Sequence, residues 1–232
     1  VRETLKKWNE AVTTSKLHKQ KEEEVKSHFL MEIFGDVLGF NYRNTNKWLY
    51  REEVKTALDG KKPDGALGSF YVSGDEITND VQIVIEVKDA NTDLGKPQNR
   101  KDFKITPVDQ AFLYASKMDG NCQWVIVTNL TEIRFYHYSS QSAFQRYLIS
   151  DLMNESILKE FMFLFHRDRF YNGSLSPTSR LFSLLKLKKV ETKADKHIID
   201  ELFFKLKKFE QLPFVNPDFL ANIRPFNVLE EN

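Results

Sequence analysis

The sequence is poor in cysteine and carries almost no net charge. Cys122 is the one cysteine among 232 residues, so the chain cannot form an internal disulfide. It opens without a cationic, apolar leader, and no apolar run reaches the length of a membrane span. We therefore expect a cytoplasmic protein without a membrane anchor. The formal net charge of +1 neither requires nor excludes a nucleic acid partner, so local features must decide that question.

Histidine is scarce as well. The five histidines show neither the spacing of metal ligands nor a His-Asn-His arrangement; they are His18, His28, His137, His166 and His197. Zinc chemistry and histidine-based nuclease chemistry are therefore not expected.

The sequence does contain enough apolar residues for one sizeable core, since 41% of its residues are apolar and 13% are aromatic. Apolar residues at helical spacing predict one helix over Lys19–Leu38, with Gly39 as its C-cap. Short β-branched and aromatic runs predict strands, and Pro107 begins a second helix. The elements predicted after the first helix are strands Lys47–Leu58, Pro63–Ser73 and Val81–Lys88, helix Pro107–Met118, and strands Gln123–Asn129 and Glu132–Tyr138.

This order, α-β-β-β-α-β-β, predicts an α/β fold with a sheet and packed helices. Beyond Ser150 the pattern becomes helical, and an apolar stripe along Asp195–Leu212 predicts a helix in a C-terminal extension. Because the chain starts at Val1 without Met and ends without a terminal signal, we expect a piece of a larger polypeptide.

Two charged residues interrupt the apolar run "VQIVIEVKDA". Strand alternation places Glu86 and Lys88 on one face and Ile83, Ile85 and Val87 on the other. A buried acid is costly unless it is paired, protonated or bound to a metal. We therefore expect a strand that is buried on one side and offers an acid and an ammonium on the other.

The pair Pro63-Asp64 stands at the start of the preceding strand. If the two strands pair antiparallel, the carboxylate of Asp64 lies beside that of Glu86. Two adjacent carboxylates suit a hard cation such as Mg²⁺, and Lys88 can orient a water or stabilise charge that develops on a phosphate. Other acid-x-Lys triplets occur in the chain, and Glu53-Val54-Lys55 is the main competitor, but no Pro-Asp strand precedes it.

The helix after the long loop adds a second signal. Gln110 and Tyr114 lie four residues apart on one helix face, the spacing of a Q-x-x-x-Y motif. In most proteins such a pair is a solvated edge and a core aromatic. Here the pair follows the acid-lysine strand along the chain, which gives it more weight.

Together, "PDGALGSF", "VIEVKDANTDL", "TPVDQAFLYASK" and "WVIVTNLTEIRFYHY" resemble the PD-(D/E)xK nuclease core of type IIG restriction-modification enzymes, which fuse an endonuclease to an N6-adenine DNA methyltransferase. The resemblance covers about residues 19–152. It implies a restriction-endonuclease-like fold, a mixed sheet flanked by helices. It also implies that residues 1–165 form the nuclease domain and residues 166–232 a helical connector towards a methyltransferase region.

The resemblance also implies roles for individual residues. Asp64, Glu86 and Lys88 match the catalytic triad, with Asp64, Glu86 and Val87 as metal ligands, and Gln110 matches the helix glutamine of the family. The cofactor implied is Mg²⁺, for which Mn²⁺ can substitute, and the substrate is double-stranded DNA.

The family also has a glutamate on its first helix. In "QKEEEVKSHFL" three acids compete for that role: Glu22, Glu23 and Glu24. Glu22 is preferred because it shares a helix face with Val25 and Phe29, and Glu23 is the next choice. Without the resemblance, such a triplet is usually a solvated helix start.

Basic residues of the loop before the second helix are the expected contacts with DNA phosphates: Lys96, Arg100, Lys101 and Lys104, with Tyr114 added from the helix. A charged loop that is merely solvated is the equal alternative.

The chain departs from a whole restriction-modification enzyme. It has no Gly-rich S-adenosylmethionine loop, and Asn216-Pro217-Asp218-Phe219 is only a superficial match to the methyltransferase motif. We therefore expect the methyltransferase and target-recognition domains, with their S-adenosylmethionine, in a region not present here. Two alternative functions remain: a RecB-like repair nuclease that acts on DNA ends, and a non-catalytic nucleic-acid-binding module of the same fold.

Overall fold

The computed structural model describes residues 1–42, 47–98, 104–118 and 122–170, without the side chains of residues 169 and 170. The chain divides into two units, Val1–Met153 and Asn154–Asn232. The predicted helix Asp195–Leu212 and nearly all of the predicted connector 166–232 lie outside the described residues. None of the helices in the described part is long and apolar enough to cross a membrane.

The described part of the first unit is built on a six-stranded mixed sheet in which the strands lie in sequence order. Strand β3 pairs parallel with β4, and every other neighbouring pair in the sheet is antiparallel. The strands are β1 (Lys47–Glu52), β2 (Gly65–Ser73), β3 (Glu76–Val87), β4 (Trp124–Thr128), β5 (Glu132–His137) and β6 (Phe144–Leu148). The predicted α/β class with a mixed sheet is confirmed.

Helix α3 (Pro107–Ala115) forms the crossover that joins the parallel strands β3 and β4. It begins where predicted, with Pro107 at its first position and a capping box between Thr106 and Asp109. Its inner face packs on the sheet in one core cluster, which includes Val108, Ala111, Ala115, Val84, Val125 and Val127. One face of the sheet is thereby covered.

The other face of the sheet lies near helix α2 (Glu22–Leu30). A Cβ built on Gly65 would lie 3.5 Å from the Leu30 side chain and 3.6 Å from Ile85 Cβ. The residues Ile83, Ile85 and Val87 are fully buried. Helices therefore flank β2 and β3 on both sides.

The N-terminal region differs from the prediction of one helix over Lys19–Leu38. The structure has α1 (Arg2–Thr13), a 3₁₀ turn Leu17–Lys19, and α2, which continues as a π-helix over Met31–Val37. The helix begins only at Glu22 because Gln20 is extended and the Lys21 N–H donates to the Glu24 carboxylate at 3.0 Å. The acid triplet thus occupies the first turn, where the helix dipole favours negative charge.

Gly39 ends this helical segment as predicted. Its φ is +80°, a conformation that glycine adopts without strain, and its N–H donates to the Gly35 carbonyl at 2.8 Å. Helix α1 and strand β6 were not predicted from the sequence. The predicted strand Lys47–Leu58 was too long, since β1 ends at Glu52.

In the second unit the described residues form α4 (Glu155–Phe165) and the short helix α5 (Arg167–Phe170). Asn154 caps α4, because its side-chain oxygen accepts hydrogen bonds from the Ser156 and Ile157 N–H groups.

Candidate active site

The pairing of β2 with β3 brings Asp64 next to Glu86. The two strands are antiparallel as expected, and Gly65 pairs with Ile85, so Asp64 lies opposite the end of β3. The Asp64 Oδ2 atom accepts a hydrogen bond of 2.8 Å from the Val87 N–H. The carboxyl groups of Asp64 and Glu86 therefore lie close together, where β2 begins and β3 ends.

Glu86 and Lys88 form a buried ion pair at the end of β3. The Lys88 Nζ atom lies 2.5 Å from Glu86 Oε1 and donates to the Val87 carbonyl at 3.0 Å. The Lys88 N–H donates to the Thr128 carbonyl of β4 at 2.8 Å, which holds the backbone of this residue beside the sheet. Backbone pairing on both sides of β3 thus orients the acid and the lysine.

The charged face of β3 is buried at its end. Glu86 is 2% exposed and Lys88 is 5% exposed, although they lie on the opposite face from Ile85 and Val87. Val84 and Val127, which share the Glu86 face, are part of the core cluster under α3. The charged pair is therefore embedded in the molecule, where electrostatic interactions are stronger than in water.

Helix α2 contributes a third carboxylate and a second lysine. The Lys26 Nζ atom lies 2.7 Å from Asp64 Oδ1. Glu22 precedes Lys26 by one helical turn and is half-buried, and its side chain interacts electrostatically with Lys88 and Asp64. We call Glu22, Asp64 and Glu86 the carboxylate cluster, and Lys26 and Lys88 the cluster lysines.

The three acids at the start of α2 differ in exposure and in the groups that they contact. Glu23 and Glu24 are exposed, and Glu24 caps the helix by accepting from the Lys21 N–H. Glu22 is the one acid of the three whose charge interacts with Glu86. The structure therefore places Glu22, which sequence reasoning preferred, towards the cluster.

Burial dominates the electrostatics of the cluster. Burial raises the pKa of Glu86 to about 7; the charges of Asp64 and Glu22 act in the same direction, and Lys88 opposes them. Burial also raises the pKa of Glu22, where Lys88 and Lys26 oppose the shift and Asp64 adds to it. The cluster therefore has three acids for two lysines, and burial shifts two of these acids towards their protonated form.

Lys26 was missed by sequence reasoning, which considered it only as part of a common Glu-Val-Lys triplet. Burial would lower its pKa, but the hydrogen bond and charge of Asp64 and the charge of Glu22 outweigh burial and raise the pKa. Lys26 is therefore an ammonium at neutral pH. The available signal was its spacing of four residues from Glu22, which puts both side chains on one helix face.

The donor chemistry of the cluster fits a divalent cation such as Mg²⁺. Carboxylate oxygens of Asp64 and Glu86 and the carbonyl of Val87 are ligands that hard cations prefer. In the structure these oxygens accept from Lys26, Lys88 and the Val87 N–H. Among the described residues, no group of three or more His, Cys, Asp or Glu side chains is arranged to hold a metal ion. A cation that enters must therefore displace an ammonium group.

Gln110 and Tyr114 lie on α3 and bond to one another. The Gln110 amide donates to the Tyr114 hydroxyl at 3.2 Å, and its carbonyl oxygen accepts from Gln98 at 3.0 Å. The bond with Gln98 links α3 to the preceding loop, and the bond with Tyr114 lies within the helix. Within the described residues neither of them joins Gln110 to the carboxylate cluster. A role for Gln110 in supporting the site stays a prediction.

The predicted DNA contacts are only partly described. Lys96 is exposed and pairs with Asp93 at 3.0 Å, and Lys104 is also exposed. Arg100 and Lys101 lie outside the described residues. Contact of this loop with DNA phosphates stays a prediction.

No family model, curated protein or solved structure matches this chain. What the site can do chemically must therefore be inferred from its residues and their geometry.

Proposed function

We propose that this chain is a Mg²⁺-dependent endodeoxyribonuclease domain with a restriction-endonuclease-like fold, the cleavage domain of a restriction-modification enzyme. The observation that carries the proposal is the meeting of Asp64, Glu86 and Lys88 at paired strand ends, with the acid and lysine of β3 joined at 2.5 Å. The order from α2 to β5, α-β-β-β-α-β-β, supports it further.

Asp64, Glu86 and the Val87 carbonyl would hold the cation. When bound, a divalent cation neutralises charge on the phosphodiester and lowers the pKa of a bound water. The oxygens of the chain that would face it are already gathered by the β2–β3 ladder, so little backbone rearrangement is required.

Lys88 positions the attacking water in this proposal. Its ammonium is held by Glu86 and the Val87 carbonyl. Beside a bound phosphodiester it would offset negative charge that develops on phosphorus. The water oxygen forms the new bond to phosphorus as the bond to the leaving oxygen breaks. Glu22 has a raised pKa and is more exposed than Glu86, so it is suited to accept the proton of the water.

Cleavage of supercoiled plasmid DNA in Mg²⁺ tests the proposal. Glu86→Gln and Lys88→Met should abolish cleavage while circular dichroism shows that the variants remain folded. Glu10→Gln and Lys6→Met are controls, because this exposed acid-lysine pair on α1 is outside the cluster and its variants should cleave normally. Full cleavage by both cluster variants would reject the assignment.

A non-catalytic nucleic-acid-binding module is the second candidate. It is favoured by the occupation of the carboxylates by Lys26 and Lys88. Calorimetric titration with Mn²⁺ separates the two candidates, since a nuclease must bind the ion through Asp64 and Glu86. A protein that binds DNA but neither Mg²⁺ nor Mn²⁺ would be the module.

A further inference from the structure

We propose that Lys26 is an internal counter-ion of the metal site: it neutralises Asp64 when no metal is bound, and the divalent cation must displace it. This inference rests on the proposed function, because it assumes that Asp64 is a metal ligand. It assigns to Lys26 the role of setting metal affinity.

The two carboxylate oxygens of Asp64 have different hydrogen-bond partners. Oδ2 accepts from the backbone N–H of Val87 at 2.8 Å, and this donor is fixed in β3, where Val87 pairs with Thr128 of β4. Oδ1 accepts from the Lys26 ammonium at 2.7 Å. The Lys26 side chain is therefore the partner of Asp64 that can be exchanged for a cation.

The two cluster lysines differ in exposure and in the number of their hydrogen-bond partners. The Lys88 side chain is 6% exposed and its ammonium bonds to both Glu86 and the Val87 carbonyl. The Lys26 side chain is 19% exposed and extends from the surface of α2 on four flexible methylene groups. Lys26 can therefore swing towards solvent, whereas Lys88 is held by its surroundings.

The charge of Lys26 affects the metal-free and the metal-bound states in opposite ways. Without Lys26, Asp64 would face Glu22 and Glu86 with Lys88 as the remaining cluster cation, so repulsion among the acids would rise. With a divalent cation in place, Lys26 would instead be a like charge close to that cation. Both effects make the metal-bound state more favourable when the charge at position 26 is removed.

Isothermal titration of the full chain with Mn²⁺, after removal of metal by EDTA, tests this role. Lys26→Met and Lys26→Gln should each lower the Kd for Mn²⁺ on the order of tenfold, the size of one charge-assisted hydrogen bond. Lys26→Arg keeps the charge and should bind close to wild type. Lys7→Met is the matched control. Lys7 of α1 pairs with Glu32 of the π-helical segment at 2.6 Å, away from the cluster, so this variant should leave the Kd unchanged.

A second readout does not depend on affinity. In EDTA the neutral variants at position 26 should melt at a lower temperature than wild type, and saturating Mn²⁺ should raise their melting temperature by more. Unchanged or weaker Mn²⁺ binding by both neutral variants overturns the inference. If wild type still binds Mn²⁺ and cleaves DNA, the proposed function survives that failure; if Mn²⁺ binds only the neutral variants, Lys26 is the blocking charge and the nuclease assignment is weakened.

Discussion

Two groups of charged side chains each surround a buried glutamate of the sheet, and they are composed in opposite ways. The carboxylate cluster at the ends of β2 and β3 has three acids for two lysines in the described part of the chain. On β5 and β6, Glu132 is 5% exposed and pairs with two arginines, Arg134 at 2.6 Å and Arg146. We call Glu132, Arg134 and Arg146 the arginine triad.

The arginine triad holds two cations around one buried acid. Arg134 and Arg146 face one another across β5 and β6, an arrangement of like charges that costs stability unless an acid lies between them. Glu132 supplies that acid, and the Arg134 guanidinium also lies over the Phe144 ring at 5.2 Å. Burial would lower the pKa of Arg134, but the hydrogen bond that its guanidinium donates to Glu132 raises it.

The carboxylate cluster has the opposite excess, with three acids for two lysines, and burial raises the pKa of Glu86 to about 7 despite a lysine in contact with it. An excess of acids suits a site that takes up a cation, whereas an excess of arginines does not. The sign of the excess, rather than the presence of buried charge, therefore distinguishes the candidate site.

The largest expected difference between the two groups is in catalysis. We expect Asp64→Asn to lower the rate of plasmid cleavage on the order of 10²–10⁴-fold, because it removes a charged group from the reacting site. Arg146→Met, in the arginine triad, should cleave within a factor of about two of wild type when assayed below its melting temperature. Equal losses in the two variants would remove the functional distinction.

For the free energy of unfolding we expect the opposite order: the variant of the arginine triad should lose more stability than the variant of the carboxylate cluster. Glu132→Ala leaves two arginines without their shared acid, and breaking a buried ion pair costs about 3–5 kcal/mol. Asp64→Asn, measured in EDTA, should cost about 1 kcal/mol or less, because it also relieves repulsion among the acids of the cluster. Urea unfolding followed by circular dichroism measures both. A greater loss in Asp64→Asn would show that the cluster, not the triad, holds the fold.

The pH dependence of stability distinguishes the two groups further. The pKa of Glu86 is about 7 in the folded chain and near its ordinary value of 4.5 when unfolded, so the folded state binds its proton more tightly. Its contribution is fully present below pH 4.5 and is lost as the pH rises through 7. In EDTA, wild type should lose on the order of 2 kcal/mol relative to Glu86→Gln between pH 4.5 and pH 8. A difference between the two proteins that does not change with pH would contradict this.

The smallest effect is expected within the arginine triad. The Arg134 side chain is 16% exposed and the Arg146 side chain is 53% exposed, so solvent screens the second ion pair more strongly. Arg146→Met should cost about 0.5–1 kcal/mol in urea unfolding, and Arg134→Met should cost more. If both variants lost the same stability, burial would not set the strength of these pairs.

Much of the core was predictable from local pattern. Alternation predicted that Glu86 and Lys88 lie on the opposite face from Ile85 and Val87, and the Pro-Asp pair predicted a second carboxylate at the neighbouring strand end. Antiparallel pairing of β2 and β3 then placed Asp64 beside the end of β3. Helix α3 began at Pro107 as predicted because its cap is encoded by adjacent residues.

Other features were not predictable in this way. Strand β6, FQRYL, has apolar or aromatic residues at Phe144, Tyr147 and Leu148, but these positions do not alternate and only Tyr147 is buried. Lys26 belonged to one of several acid-x-Lys triplets, and nothing local identified Asp64, 38 positions away, as its partner. The burial of Glu86 and Lys88 depends on residues from other elements packing over their face.

Residue order alone was enough to define strands, caps and the face on which each acid lies, because those properties depend on neighbours within a few positions. The distance from Lys26 to Asp64, the pKa of Glu86 and the closed environment of the ion pair required the folded chain. Each depends on how helices and strands distant in sequence pack together, and on the solvent that this packing excludes.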